Sequence, residues 1–225
     1  MSNLFVIVLQ YLLNLGISSK WKIVDVFGLD DELLPMIPQP TAALILLFPA
    51  NKKNSEFRTK QVEQIQSSGQ TLDDSLYFCC QTIRNACGTI ALLHSIANNT
   101  DKIELDADKP LKKFLNLTMK MSSVERGAAL EKDENICAVH EACAQEGQTE
   151  APDREESVNL HFIAFVQKEG HLYEFDGNRP FPVNHGPSDS ETFLKDAAKV
   201  CKEYMSRDPT EVRFTVMALT AGDAM

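Results

Sequence analysis

The amino-acid sequence predicts an α+β fold, and three observations carry that prediction. Strand-like segments are scattered among helical ones, without the regular alternation of a doubly wound sheet. Residues Asn159 to Asp176 read as a β-hairpin, which joins antiparallel strands. No internal repeat is visible, so a solenoid is excluded.

The opening run LFVIVLQYLLNLG is apolar, but no basic residue precedes it and no A-x-A-like cleavage site follows. Gln10 and Asn14 interrupt it, making it too short for a membrane span. It reads as an amphipathic or buried first element. Lys22 to Phe27 and Ala42 to Phe48 read as short buried strands around a turn-rich stretch, 28–41. Ser55 to Ser68 is charged and helical, ending at Gly69. A helix from about Cys87 to Asn98 follows, with Asn85 as its expected N-cap and Ile90, Leu93 and Ala97 at helical spacing. More helix is expected in 109–135, in Ser188 to Met205, and a last strand in Val212 to Leu219.

Composition bounds the function. A chain of 225 residues with 44% hydrophobic and 24% charged residues can bury a substantial core. A formal charge of −10 argues against nucleic acid and is compatible with a basic protein partner. The six cysteines (Cys79, Cys80, Cys87, Cys137, Cys143, Cys201) lack the placement of a small disulfide scaffold and read as reduced thiols in the cytoplasm. No phosphate-binding glycine loop or dinucleotide fingerprint appears, so no cofactor is implied. Cys137, His140 and Cys143 could be drawn as a zinc half-site, but no fourth ligand follows at suitable spacing; no metal is expected.

The stretch QTIRNACGT, Gln81 to Thr89, carries the most chemistry. Cys87 falls in the first turn of its helix, where free N–H groups and the helix dipole favour a thiolate. Gln81, six residues earlier, can donate to a developing oxyanion. Alone, such a cysteine reads more readily as a small core residue than as a nucleophile, so partners decide. Of five histidines, His94 lies two turns up the same helix, roughly 10 Å along its axis, and cannot reach the sulfur. His140 belongs to a polar stretch; His171 and His185 flank turns. His161 stands in the apolar strand NLHFIAFV, where it needs a partner.

Strand pairing supplies one. If Glu169-Gly170 is a two-residue turn, Lys168 pairs with His171 and Ile163 faces Asp176. His161 and Asp176 are then diagonal neighbours, roughly 7–8 Å apart at the backbone. A three-residue turn at 168–170 would place them on opposite faces, and Asp176-Gly177 could equally be a plain turn.

Cys87, His161 and Asp176, with Gln81 upstream, form a nucleophile, base and orienting acid in the order of a thiol protease. Over about residues 19–219, the stretches QTIRNACGTIALLHSIANN, NLHFIAFVQKEGHLYEFDGNRPFPVNHG and CKEYMSRDPTEVRF resemble the ubiquitin carboxyl-terminal hydrolases of the small single-domain type. The resemblance implies one catalytic domain over 1–225 with a papain-like fold: a central antiparallel sheet, helices on both sides and a knotted chain. It implies that Cys87 forms a thioester with the last glycine of ubiquitin. His161 would be general base and acid, Asp176 would orient it, and Gln81 with the Cys87 N–H would bind the oxyanion.

The acidic, aperiodic stretch of about 140–157 matches the family's crossover loop over the active site. Roughly twenty residues closed into a ring have a diameter of about 20 Å. A ubiquitin-sized domain is roughly 30 Å across. Short peptides and small adducts should therefore pass, and folded leaving groups should not. By the same resemblance Asp25 and Glu211 match substrate-binding positions, where acidic groups would meet the arginines of ubiquitin's tail. The expected partner is ubiquitin or the related modifier NEDD8, with no nucleic acid and no membrane, and the chain is expected to be a monomer. Residues 1–15 depart from the family's proline- and glutamate-bearing start. That departure supports a second reading, a ubiquitin-sequestering protein with weak or no turnover.

Overall fold

The computed structural model describes residues 10–139 and 160–221. Six strands form one antiparallel sheet: β1 (Lys22–Asp25), β2 (Thr41–Pro49), β3 (Leu160–Lys168), β4 (His171–Phe175), β5 (Val183–Pro187) and β6 (Thr215–Thr220). Their order across the sheet is β1-β6-β2-β3-β4-β5. Among the described residues five helices are complete, α1 (Lys52–Ser68), α2 (Cys87–Ala97), α3 (Pro110–Thr118), α4 (Ser123–Lys132) and α5 (Phe193–Ser206), with further helical residues at 10–15 and 134–139.

The period-2 alternation of the central strands makes two cores, one on each face of the sheet. Ala43, Ile45, Ala164, Val166, Tyr173 and Phe175 face the side covered by α2, where Ile90, Ala91, Leu93 and Ile96 are buried. Leu44, Leu46, Phe48, Ile163, Phe165 and Leu172 face the side covered by α5, against Phe193, Ala197, Cys201 and Tyr204. β2 is apolar on both faces because it lies between β6 and β3 with a helix on each side. The expected α+β sheet flanked by helices on both sides is what the chain adopts.

Local signals set most boundaries, and the differences have identifiable causes. α1 begins at Lys52, since the Asn51 side chain caps it by accepting from Asn54 N–H at 3.0 Å. α4 starts at a capping box in which the Ser122 hydroxyl accepts from Glu125 N–H and the Glu125 carboxylate accepts from Ser122 N–H. α5 begins five residues later than expected, because the Asp189 carboxylate accepts from the N–H groups of Glu191 and Thr192 and holds that segment in a turn. Asn85 is not an N-cap: it sits at φ 60°, and Ala86 precedes the helix without a side-chain cap. The helix still begins at Cys87. His185 lies in β5, a strand too polar for periodicity to reveal, and not in a turn.

Residues 10–15 are helical, with Tyr11, Leu12 and Leu15 packed into the α2-side core, so this described part of the apolar start is a buried element. Among the described residues no helix is long and apolar enough to cross a membrane. The crossover loop, the path that would make a knot, and His140 and Cys143 of the zinc half-site lie outside the described residues.

Candidate active site

The β3–β4 hairpin turns on two residues, as the strand arithmetic requires. Lys168 pairs with His171, and Ala164 with Phe175. Glu169 and Gly170 both have positive φ (46° and 79°), the type I′ geometry that matches strand twist; Gly170 takes it without Cβ strain. This register sends His161 and Asp176 to the same face. His161 Nε2 lies 2.7 Å from Asp176 Oδ1, with Asp176 fully buried and the imidazole nearly so. The His161 ring sits edge-on to Phe48, its β2 pairing partner, at 5.7 Å between centroids.

Cys87 arrives from the other direction, as the first residue of α2. Its thiol lies among the His161 side chain and the backbone of Phe162 and Gly88, which act on its ionisation. With Nε2 engaged by Asp176, Nδ1 is the ring nitrogen left for the thiol. Gly88 lies against the Phe162 ring, so the start of α2 is seated directly on β3.

Electrostatics follow from this geometry. Burial alone would favour a neutral imidazole, but the hydrogen bonds to Asp176 and then Cys87 outweigh it and raise the His161 pKa to about 9. Burial likewise opposes ionisation of Cys87; the His161 and Phe162 hydrogen bonds overcome it and hold the thiol pKa below its ordinary value. Burial would raise Asp176 too, yet the His161 hydrogen bond and the Arg58 charge keep it far below the usual carboxylate range. The combination favours a thiolate beside an imidazolium, a nucleophile paired with a proton donor.

Gln81 lies on a segment pinned to the same turn. Its N–H donates to Gly177 carbonyl at 2.8 Å, while Cys80 N–H donates to Ser123 carbonyl and the Thr82 hydroxyl to Gly127 carbonyl. Its side-chain Nε2 donates to Ile83 carbonyl at 3.0 Å, and the second hydrogen of that amide is the one free for an oxyanion. Gly177 makes this approach possible: a Cβ there would stand 2.7 Å from Ile90 Cγ2 and 3.0 Å from Gln81 Cβ. Gly177→Ala should therefore force α2 and the Gln81 segment away from Asp176. A stability loss of about 1–3 kcal/mol is expected by denaturant unfolding, with a larger proportional fall in kcat than in affinity. Unchanged kcat in the folded variant would show that the close approach is not needed.

The other expected positions differ in standing. His94 is fully buried, accepts from Cys79 N–H at 3.0 Å through Nε2, and stacks on Phe78; burial drives its pKa down to about 3, so it is a neutral core histidine. Asp25 is exposed at the end of edge strand β1. Glu211 spends its carboxylate on Arg213, at 2.9 Å and 2.7 Å, and on the N–H groups of Val212 and Arg213. A tail arginine would have to compete with that pair. No group of three or more metal-ligating side chains occurs among the described residues.

Sequence reading missed what stands behind Asp176. Arg58 from α1 is hydrogen-bonded to Oδ2, and Arg179 Nε lies 3.4 Å from the same oxygen. Arg179 also reaches Glu174 at 3.1 Å, and His185 binds the other Glu174 oxygen at 2.9 Å. One signal was visible: Glu174 in the apolar strand HLYEF needs a buried cation. Arg58, in a helix charged all round, gave none.

A family model described as ubiquitin carboxyl-terminal hydrolase, family 1, matches residues 6–206. A ubiquitin carboxyl-terminal hydrolase of Drosophila melanogaster is 52% identical over 213 residues, 94% of this chain and 92% of that protein. Human ubiquitin carboxyl-terminal hydrolase isozyme L1 is 50% identical over 210 residues, 93% of this chain and 92% of that protein. Among solved structures, the Trichinella spiralis UCH37 catalytic domain bound to ubiquitin vinyl methyl ester superposes with a TM-score of 0.72 at 27% identity. That match covers 97% of this chain and 93% of the other.

Proposed function

The chain belongs to ubiquitin carboxyl-terminal hydrolase family 1, and from that premise we propose that it is a cysteine-type deubiquitinating hydrolase working through Cys87, His161 and Asp176. The observation that carries the reading is the 2.7 Å His161–Asp176 pair, whose imidazole acts on the ionisation of a thiol at a helix start. The solved relative bound to ubiquitin vinyl methyl ester supports ubiquitin as the partner.

The chemistry runs as follows. The Cys87 thiolate attacks the carbonyl carbon of ubiquitin's terminal glycine, and the oxyanion is met by Cys87 N–H and the free hydrogen of Gln81 Nε2. The His161 imidazolium gives its proton to the leaving nitrogen as the C–N bond breaks, leaving a thioester. His161 then takes a proton from water, the hydroxide attacks the thioester carbonyl, and the C–S bond breaks to return the thiolate. Asp176 steadies the imidazolium throughout.

Substrates on this reading are small adducts and short peptides on ubiquitin or NEDD8, handled by a monomer. Among the described residues Cys79, Cys80, Cys87 and Cys201 are free thiols, which supports a reducing, cytoplasmic setting. Ubiquitin bearing a C-terminal vinyl methyl ester should label Cys87 stoichiometrically. Tight ubiquitin binding without labelling would favour the sequestering alternative.

The pH dependence has a defined sign. Because the His161 pKa is raised to about 9, the imidazolium that protonates the leaving group is lost only as pH rises through that value. Hydrolysis of a ubiquitin amide adduct should hold through neutrality and fall on an alkaline limb near 9. A limb close to the ordinary histidine value, roughly 6.5, would contradict it.

A further inference from the structure

Asp176 divides its two oxygens between two tasks. Oδ1 takes His161 Nε2 and, at 3.0 Å, Asn178 N–H. Oδ2 faces away from the imidazole, toward Arg58 and Arg179 Nε. Arg179 is 3% exposed; its Nε meets Asp176 Oδ2 as an ion pair at 3.4 Å, and its other nitrogens are hydrogen-bonded. Its Nη1 donates to Gln61 Oε1 on α1 at 2.8 Å, and its Nη2 lies 3.1 Å from Glu174 Oε1 on β4 and 3.3 Å from the Tyr204 hydroxyl on α5. Its own N–H donates to the Asp176 carbonyl at 2.9 Å, closing the turn that carries both residues. The Tyr204 hydroxyl donates to Glu174 Oε1 at 2.7 Å, so the acid beneath Arg179 is itself fixed.

We propose that Arg179 is a positioning residue for the triad: by bridging Asp176 to α1, β4 and α5, it sets the carboxylate rotation that points Oδ1 at His161. The proposal rests on the reading of Asp176 as the acid that orients His161. A free carboxylate has a broad, roughly two-fold terminal torsion, and His161 and Asn178 N–H on Oδ1 with Arg58 on Oδ2 do not by themselves fix it against the frame of β4 and α5. A buried guanidinium with donors in a fixed fork does, provided its other donors are anchored to rigid elements, as these are. Glu174 supplies the second negative charge that lets a cation stay here beside Arg58; the Arg179 charge and then the His185 hydrogen bond hold it ionised, with a pKa of about 2 despite burial. The groups that face the His161 ring are Asp176 from the end of β4, Cys87 from α2 and Arg58 from α1. Arg179 acts on the ring only through Asp176.

The test separates alignment from simple charge balance. Arg179→Met alone would strand Glu174, so the informative variant is Arg179→Met combined with Glu174→Gln, in which the amide still accepts from Tyr204. With the fold verified by cooperative unfolding, kcat on a ubiquitin amide adduct should fall about tenfold or more at unchanged KM. The pH dependence of Cys87 alkylation by iodoacetamide should move to higher pH, because a misaligned carboxylate supports the imidazolium less. Arg179→Lys, which restores the charge, should recover part of kcat. A folded double variant with wild-type kcat and an unmoved alkylation profile overturns the proposal, as does a kcat loss that matches only the unfolded fraction. The underlying reading fails differently, through an Asp176→Asn enzyme of full activity.

Discussion

Cys87→Ala is expected to abolish turnover while leaving ubiquitin binding intact. The loss in kcat should be on the order of 10⁵- to 10⁶-fold, since removing the nucleophile of a triad costs about as much as removing the whole set. The sulfur is half-buried at the start of α2, and its partners are His161 and two backbone groups. The helix therefore keeps its seat on β3 without it, and the melting temperature should change little. Measurement of kcat on a ubiquitin amide adduct, with binding followed by calorimetry, checks both halves. A variant retaining activity within tenfold of the parent would show that the thiol is not the nucleophile.

Asp176→Asn is the second large effect, and it falls on both rate and stability. The amide has the shape of the carboxylate but offers His161 a different hydrogen-bonding pattern, so the imidazole loses the tautomer that leaves Nδ1 for the thiol. A fall in kcat on the order of 10⁴-fold is expected, the size seen when a triad acid is neutralised. Stability should fall as well, by about 3 kcal/mol, because Arg58 and Arg179 would face a neutral group in a buried site. The sign with pH distinguishes the causes. The folded-state pKa of Asp176 is depressed, so its contribution is present above the ordinary aspartate value and disappears in acid. The stability gap between parent and variant should therefore close as pH falls below roughly 4. His161 acts in the opposite sense: its pKa is raised, so its contribution is complete below roughly 6.5 and fades as pH rises toward 9. In the variant that alkaline fade should be complete at lower pH, because His161 is less raised without the carboxylate. Parallel urea denaturations across pH would reveal both limbs, and a gap constant from acid to neutral pH would contradict this account.

The hairpin shows why much of the site could be read in advance. A two-residue turn sets every pairing behind it, and one residue of slip would have sent His161 and Asp176 to opposite faces. The sequence around Glu169-Gly170 was therefore enough to bring a base and an acid together. The start of α2 was legible for a different reason: the apolar spacing after Cys87 marks the helix even though Asn85 takes a left-handed conformation and caps nothing. β5 was not legible, because VNHGP has neither alternation nor β-branched enrichment. It becomes a strand only by pairing with β4, where His185 finds Glu174.

Position in sequence alone thus determined the chemistry available to this protein: a thiol at a helix start, an imidazole and a carboxylate in one hairpin register, and a glutamine upstream. These are local arrangements, set by periods of 2 and 3.6 residues and by turn geometry. Only the tertiary structure decided how the carboxylate is held. Arg58 lies 118 residues from Asp176 in the chain, and so does Gln61 from Arg179; Tyr204 lies 30 residues from Glu174. No periodicity relates groups so far apart. They meet because α5 covers one face of the sheet with its apolar side and carries Tyr204 to the buried corner, where α1, whose only buried residue is Asn54, brings Arg58 and Gln61.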